Sequence, residues 1–76
     1  MDNVYIETTV VGNLAGRIHP DPTIASRQNV TRRWWPTASA QYRLLISQLV
    51  RDECTGGDPT AATERLDAIE SLELLD

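Results

Sequence analysis

The chain has 76 residues and a net charge of -4, and 41% of its residues are hydrophobic. This hydrophobic content excludes a disordered chain, and no apolar run approaches the roughly 18 residues that a membrane span needs. The amino terminus lacks the pattern of a signal peptide, and the single cysteine excludes an intrachain disulfide framework. We therefore expect residues 1–76 to form one small cytoplasmic domain with no membrane association.

The charge is divided unevenly along the sequence. Residues 1–51 hold six arginines against three acidic residues, which gives +3, whereas residues 52–76 hold eight acidic residues against one arginine, which gives -7. Because the overall balance is acidic, the composition argues against a generic nucleic-acid-binding protein.

The first segment predicts a strand followed by a short helix. Residues 3–6 are apolar, β-branched and aromatic, which is typical of a buried strand. Thr8 or Thr9 can cap the following helix, because a hydroxyl accepts hydrogen bonds from the free N–H groups of a first turn. Gly16 is expected to end that helix, since glycine adopts the left-handed conformation at a helix end.

A second helix is predicted from residue 22 onward. Asp21 followed by Pro22 combines a capping carboxylate with proline at the first helical position. Pro36 is expected to end the helix near Trp35, because the residue before a proline is disfavoured in the helical conformation.

The second half repeats this order of elements. Residues 42–47 (YRLLIS) predict a strand that is apolar enough to be covered on both faces. Ser47 can cap a helix that extends through Cys54, and Asp58 with Pro59 repeats the signal for a helix start.

Residues 72–76 predict a third short strand. The order of elements is then β-α-α-β-α-α-β. Because helical crossovers join the strands, we expect an α/β fold with a short three-stranded parallel sheet and right-handed connections.

Two carboxylates follow the carboxyl ends of the first two predicted strands. Glu7 comes directly after the first strand, and Glu53 lies about two turns into the helix after the second. Ligands of parallel α/β sheets bind beyond these strand ends, and paired carboxylates suit a hard cation such as Mg²⁺. Glu7 also fits a helix N-terminal acid that the macrodipole favours, and Glu53 also fits a solvated helix residue.

The opening segment, VYIETTVVGNL, resembles the first strand and helix of a PIN domain. The segment LLISQLVRDE resembles that family's second strand with its serine and a glutamate six residues later, here Ser47 and Glu53. The segments RQNVTRRWW, SQLVRDE and GDPTAATERLDAI are similar to bacterial PIN proteins related to the toxin ribonucleases of toxin–antitoxin pairs, in the branch with ETT in place of the aspartate motif. The resemblance covers the whole chain, which corresponds to the N-terminal half of a PIN domain.

This resemblance implies a truncated PIN-like three-layer sandwich with a metal-dependent ribonuclease-type site. Glu7 and Glu53 match the family's first two acids and are predicted as catalytic residues and as ligands of Mg²⁺ or Mn²⁺, with Thr8, Thr9 and Ser47 as supporting residues. In PIN domains a metal-activated water attacks a phosphodiester. The family's later acids have no counterpart in this sequence, so we expect weak metal binding, no activity of the chain alone, and RNA as a partner only if the chain is active.

The alternative prediction is a non-catalytic dimerisation or protein-interaction module, such as a toxin–antitoxin remnant with an antitoxin-like partner. In the PIN-like strand order the first strand lacks one neighbour, so the edge at residues 4–6 is expected to be open. A homodimer is predicted through this edge or through the face of the first helix that contains Val10, Val11 and Leu14.

The segment TRRWWP at residues 31–36 combines arginine with tryptophan. These side chains can stack nucleobases, but such a helix end more often buries one tryptophan and leaves the arginines in solvent. His19 is interpreted as an ordinary loop residue, and Cys54 as a small residue that packs beneath its helix.

Overall fold

The computed structural model of the protein describes residues 2–75. The α/β class and the predicted order of elements are confirmed, and residue 76 of the predicted third strand lies outside the described residues. Even the longest helix among residues 2–75 is not both long and apolar enough to cross a lipid bilayer. The elements are β1 (Asn3–Tyr5), α1 (Thr8–Leu14), α2 (Pro22–Gln41), β2 (Arg43–Ile46), α3 (Gln48–Glu53), α4 (Pro59–Ile69) and β3 (Glu73–Leu74).

The three strands form a parallel sheet in the order β1-β2-β3, with β2 in the centre. The register pairs Val4 with Leu44 and Leu45 with Glu73. Both crossovers advance in the same direction across the sheet, and right-handed crossovers of this kind place their helices on the same face. Among the described residues β1 pairs with β2 alone, so its outer edge is open, as predicted.

One hydrophobic core lies between the sheet and the helices. All four helices contribute to it, whereas the strand segments contribute Ile6, Leu44 and Ile46, whose alternation places them on one face of the sheet. Leu45 is also buried, but it faces the other side and lies outside this cluster. Residues 2–75 thus account for two layers, and the third layer of the predicted sandwich has no counterpart among them. The buried residues of the core are Ile6, Val11, Ala38, Leu44, Ile46, Val50, Cys54 and Ile69.

The face of the sheet opposite the helices is called the open face below. By register and alternation it carries Asn3, Tyr5, Arg43, Leu45, Ser47, Glu73 and Leu75. The Arg43 guanidinium donates from Nε to Oε2 of Glu73 at 2.6 Å and from Nη2 to Oε1. These hydrogen bonds lower the pKa of Glu73 and raise the pKa of Arg43.

Three of the predicted helix caps are confirmed. The carboxylates of Asp21 and Asp58 and the hydroxyl of Ser47 each accept a backbone N–H from a first turn, at 2.8, 2.9 and 3.2 Å. The predicted cap of α1 is wrong, because Thr8 and Thr9 lie inside the helix, which begins one residue after Glu7. The reason is that the last ladder hydrogen bond of β1 ends just before Glu7, and the Glu7 carbonyl already accepts the first helical N–H groups.

The prediction that Pro36 ends the second helix is also wrong. α2 continues through Pro36 to Gln41 and has 20 residues, although proline cannot donate to the carbonyl four residues earlier. Beyond the proline, Ala38 is fully buried in the core, and Trp35 before it packs against the same cluster. Tertiary packing of this face therefore outweighs the local cost of the proline.

α1 is packed among the other helices rather than exposed. It contacts α2, α3 and α4, Val11 is fully buried, and Val10 packs against the core. Leu14 is half-buried. The neighbouring helices thus cover much of this face, and a dimer through it stays a prediction.

Each short helix is bound at its carboxyl end by one arginine of the long helix that follows it. Arg32 of α2 donates from Nε to the Asn13 carbonyl at 3.2 Å and from Nη2 to the Gly16 carbonyl at 2.6 Å. Arg65 of α4 donates from Nε to the Cys54 carbonyl at 3.1 Å. Both guanidinium groups lie at the carboxyl end of a short helix, where a cation offsets the partial negative charge. The interpretation of the arginines in residues 31–36 as solvated is thus wrong for Arg32.

We expect Arg32→Met to lower the free energy of unfolding by about 1–3 kcal/mol, because two carbonyls lose charge-assisted donors. Urea denaturation measures the change. Arg33→Met is the matched control, since Arg33 is exposed on the same helix and its replacement should change stability by less than about 0.5 kcal/mol. Equal losses in the two variants would contradict the role given to the Arg32 contacts.

Because of the Arg43–Glu73 pair, we expect the free energy of unfolding to depend on pH. The pKa of Glu73 is lower in the folded protein than in the unfolded chain, so the stabilisation is present above the ordinary glutamate pKa and is lost as the pH falls through the lowered one. Both side chains are exposed, so the effect is small and weakens with salt. Unfolding of the wild type and Glu73→Gln should differ more at about pH 7 than at about pH 3; a difference independent of pH would refute the prediction.

Candidate functional site

A shallow, open depression lies at the carboxyl ends of β1 and β2. Because the two strands are parallel, α1 and α3 both begin at this edge of the sheet, which is where α/β proteins bind ligands. The depression has a volume of about 310 Å³ and brings together the two predicted acids, as their positions after the strands indicated. Its lining consists of Tyr5, Glu7, Thr8, Thr9, Leu49, Val50 and Glu53.

Glu7 is the residue at which the chain turns from strand to helix. The N–H of the preceding Ile6 donates to the Leu45 carbonyl at 2.8 Å, and the Glu7 carbonyl accepts from Val10 and Val11 at 3.0 and 3.3 Å. The Glu7 side chain is exposed and makes no cap hydrogen bond. The backbone is therefore fixed on both sides, while the carboxylate is directed into the solvent of the depression.

The chain consists of two strand–helix–helix units, β1-α1-α2 and β2-α3-α4, which are called βαα units. Glu53 of the second unit is held in place by a threonine of the first. The hydroxyl of Thr8, the first residue of α1, donates to Oε1 of Glu53, the last residue of α3, at 3.0 Å. This bond orients one oxygen of the carboxylate and leaves the other available to a ligand. Thr9 lies exposed on the rim of the depression.

Ser47 does not line the depression, in contrast to its predicted supporting role at the site. Its hydroxyl caps α3 and shares a hydrogen bond of 2.8 Å with the hydroxyl of Tyr5. Because α3 also carries Glu53, this link ties the position of α3 to β1. Ser47 thus acts on the site through the helix, not through contact with a ligand.

Three residues that line the depression were not predicted from the sequence: Tyr5, Leu49 and Val50, of which Val50 belongs to the core. Tyr5 is 45% exposed and Leu49 is 67% exposed, and they give the depression an apolar wall. The signal for Tyr5 was present in the strand pattern, because it alternates with Val4 and Ile6 and so faces away from their core. Leu49 had no such signal, since a leucine near the start of a helix is usually buried.

The donors at the depression have the chemistry of a hard-cation site. Two carboxylates and the hydroxyls of Thr8 and Thr9 offer only oxygen, which Mg²⁺ and Mn²⁺ accept together with several waters. Within residues 2–75 no group of three or more His, Cys, Asp or Glu residues is arranged to hold a metal ion. Asp52, next to Glu53, instead accepts a hydrogen bond of 2.8 Å from Gln48. The residues therefore fit one hydrated cation and do not fit a two-metal centre.

Other residues with chemical potential have structural roles. His19 accepts the Asp21 N–H at Nδ1, 3.0 Å away, in the loop before α2. Trp34 and Trp35 pack edge to face with ring centroids 6.2 Å apart. Of the two, Trp35 packs against the core and is half-buried, whereas Trp34 is exposed. Cys54 is fully buried and burial raises the pKa of its thiol, which confirms the packing interpretation and argues against a nucleophile.

No protein-family model, curated protein sequence or solved structure matches this chain. The likeness to PIN domains therefore rests on the sequence segments quoted above and on the chemistry of the depression. A PIN-type function and a metal requirement are accordingly proposals.

Proposed function

We propose that the chain is a PIN-like, ribonuclease-type domain in which Glu7 and Glu53 bind one divalent cation weakly, and that it does not cleave RNA on its own. The observation that carries the proposal is that these two carboxylates, far apart in sequence, line a single depression at the carboxyl ends of neighbouring parallel strands. This is the position at which the resemblance expects the first two acids of a metal site.

Each residue of the depression has a distinct role in this proposal. Glu7 offers a carboxylate without a protein partner among residues 2–75, and Glu53 offers one that Thr8 orients. Mg²⁺ or Mn²⁺ bound there would supply charge neutralisation at a phosphate and an acidified water. Tyr5 and Leu49 border the two acids with apolar surface.

The same geometry explains the proposed lack of activity. Two carboxylates neutralise a divalent cation but do not fix its remaining ligands, which would be exchangeable waters. The depression is open, so solvent screens the charges that would have to stabilise a transition state. In the described residues no third acid compensates for this.

The PIN-like three-layer arrangement and a cytoplasmic location are parts of the proposal. The sheet with its four helices on one face is compatible with one side of such a sandwich. The open face is then the side on which a second helical layer would lie in the three-layer arrangement.

A second candidate function is a non-catalytic interaction or dimerisation module, with an antitoxin-like protein as one partner class. The observation that favours it is the open outer edge of β1, a strand in which Tyr5 is 45% exposed. An unpaired strand edge is a template for pairing with another chain. A two-fold homodimer through this edge is one form of that candidate.

Cation binding should be weak and depend on both acids. We expect a Kd for Mn²⁺ in the millimolar range, which corresponds to a binding free energy on the order of 4 kcal/mol. Paramagnetic broadening of the backbone amide NMR signals of residues 7 and 53 measures the binding. Glu7→Gln and Glu53→Gln should each abolish the local broadening, because one carboxylate cannot hold the ion. Glu70→Gln, which removes an exposed charge from the end of α4, is the matched control; an equal loss in that variant would indicate unspecific attraction.

The isolated chain should not cleave single-stranded RNA above the rate of a buffer control, with either Mg²⁺ or Mn²⁺ present. The reason is that the attacking water and the phosphate have no fixed position in an incomplete ligand set. A fluorescence assay on a labelled oligonucleotide measures this. Metal-dependent turnover that disappears in both Glu7→Gln and Glu53→Gln, and persists in Glu70→Gln, would show that the chain is an enzyme by itself.

A further inference from the structure

The long helix α2 carries a basic surface in a chain that is acidic as a whole. Its 20 residues include Arg27, Arg32 and Arg33 and no acidic residue, whereas the chain carries -4. Arg27 and Arg33 are exposed, and neither has a hydrogen-bond or ion-pair partner among residues 2–75. Asp21, which precedes the helix, is already engaged, because its carboxylate accepts two backbone N–H groups of the first turn. Positive charge is therefore concentrated on this helix and is not compensated within it.

Hydrogen-bond donors follow one stripe along this surface. Ser26, Asn29 and Arg33 lie at i, i+3 and i+7, so they share one face of the helix. They line an open groove of about 710 Å³, whose other lining residues are Pro22, Ala25 and Arg32. A hydroxyl, an amide and a guanidinium all donate hydrogen bonds, and no carboxylate of residues 2–75 lines the groove. The groove therefore has the chemistry of a phosphate-binding surface.

An aromatic side chain lies on the adjacent stripe of the same helix. Arg27, Val30 and Trp34 also follow the i, i+3, i+7 spacing. Trp34 is 37% exposed and Val30 is 55% exposed. The edge-to-face contact with Trp35, which itself packs against the core, restricts the indole of Trp34. A restricted ring that is partly open to solvent offers a surface on which an unpaired base stacks.

We propose that this surface of α2 binds a single strand of nucleic acid, with phosphates in the groove beside Arg33 and a base stacked on Trp34. A positively charged groove next to an exposed aromatic ring is the combination that binds single strands without reading their sequence. Arg33 suits this role, because a guanidinium donates two parallel hydrogen bonds to one phosphate. An acidic peptide would satisfy the arginines but would have no base to place on the indole.

The proposal goes beyond the cation site and does not depend on it. The depression that contains Glu7 and Glu53 is lined by no residue of α2, so a strand on α2 needs no divalent cation. Phosphates and base faces are common to RNA and DNA, and the 2′-hydroxyl is what distinguishes the two. A surface that uses only the shared groups should bind both with similar affinity.

Fluorescence anisotropy of a labelled oligothymidylate of about 12 nucleotides, with EDTA and about 50 mM salt, tests the proposal. The wild type should bind with a Kd on the order of 100 µM, because two arginines and one stacked base supply only modest affinity. The logarithm of the association constant should fall with the logarithm of the salt concentration, with a slope of about -1.4 for two phosphate contacts. An oligouridylate of the same length should have a Kd within about threefold of this value.

Matched substitutions separate phosphate contact from stacking and from general charge. Arg33→Gln should raise the Kd about fivefold and reduce the salt slope by about half. Arg43→Gln is the control, since it removes the same charge from the open face, and it should change the Kd by less than about twofold. Trp34→Leu should raise the Kd about tenfold, whereas Trp34→Phe, which keeps a ring, should stay within about threefold. Because Arg33 is exposed, the Arg33→Gln arm does not depend on how Trp34→Leu folds.

Several outcomes would overturn the proposal. Equal losses in Arg33→Gln and Arg43→Gln would indicate unspecific attraction to the phosphates, and an unchanged Kd in Trp34→Leu would exclude stacking. A glutamate peptide of about ten residues that binds as tightly as the oligonucleotide would make an acidic protein the occupant. Loss of binding in Glu7→Gln would place the strand at the depression instead of on α2. Absence of binding at about 1 mM protein would exclude the surface altogether.

Discussion

The central position of β2 is the constraint on which the rest of the structure depends. β2 pairs with a parallel strand on each side, and both crossovers advance in the same direction across it. With the usual right-handed connection, such crossovers place their helices on one face of the sheet. All four helices must therefore pack on one face, which assembles a single core around Leu44 and Ile46. The same constraint starts α1 and α3 at one edge of the sheet, beside the depression that Glu7 and Glu53 line, and leaves the second face around Leu45 without helices.

The two βαα units satisfy this constraint with the same local devices. The short helices α1 and α3 have 7 and 6 residues, which is too few for a helix that is stable on its own. In each unit a glycine with positive φ, Gly16 at 83° and Gly57 at 76°, reverses the chain. An Asp-Pro pair then starts the long helix, and an arginine from that helix binds the terminal carbonyls of the short one. The carboxyl end of α3, which carries Glu53, is thereby held by Arg65, and the carboxyl end of α1, opposite Glu7, by Arg32.

Features set by local chemistry were predictable from the sequence. Asp21, Ser47 and Asp58 cap helices because a short polar side chain next to a first turn has few better partners, and the parallel sheet follows from helices between strands. Features set by packing were not. The helix passes through Pro36 because Ala38 is buried beyond it, and the bond from Thr8 to Glu53 joins residues whose proximity depends on how two units pack. The sequence predicted that Glu7 and Glu53 lie at the same edge of the sheet, but it did not predict the contacts that surround them.

Tyr5 connects the candidate cation site with the open face. Its hydroxyl is hydrogen-bonded to Ser47, the cap of the helix that ends at Glu53, and its ring lies on the open face and in the wall of the depression. Tyr5 thus links β1 and the wall of the depression to the residue that caps the helix ending at Glu53.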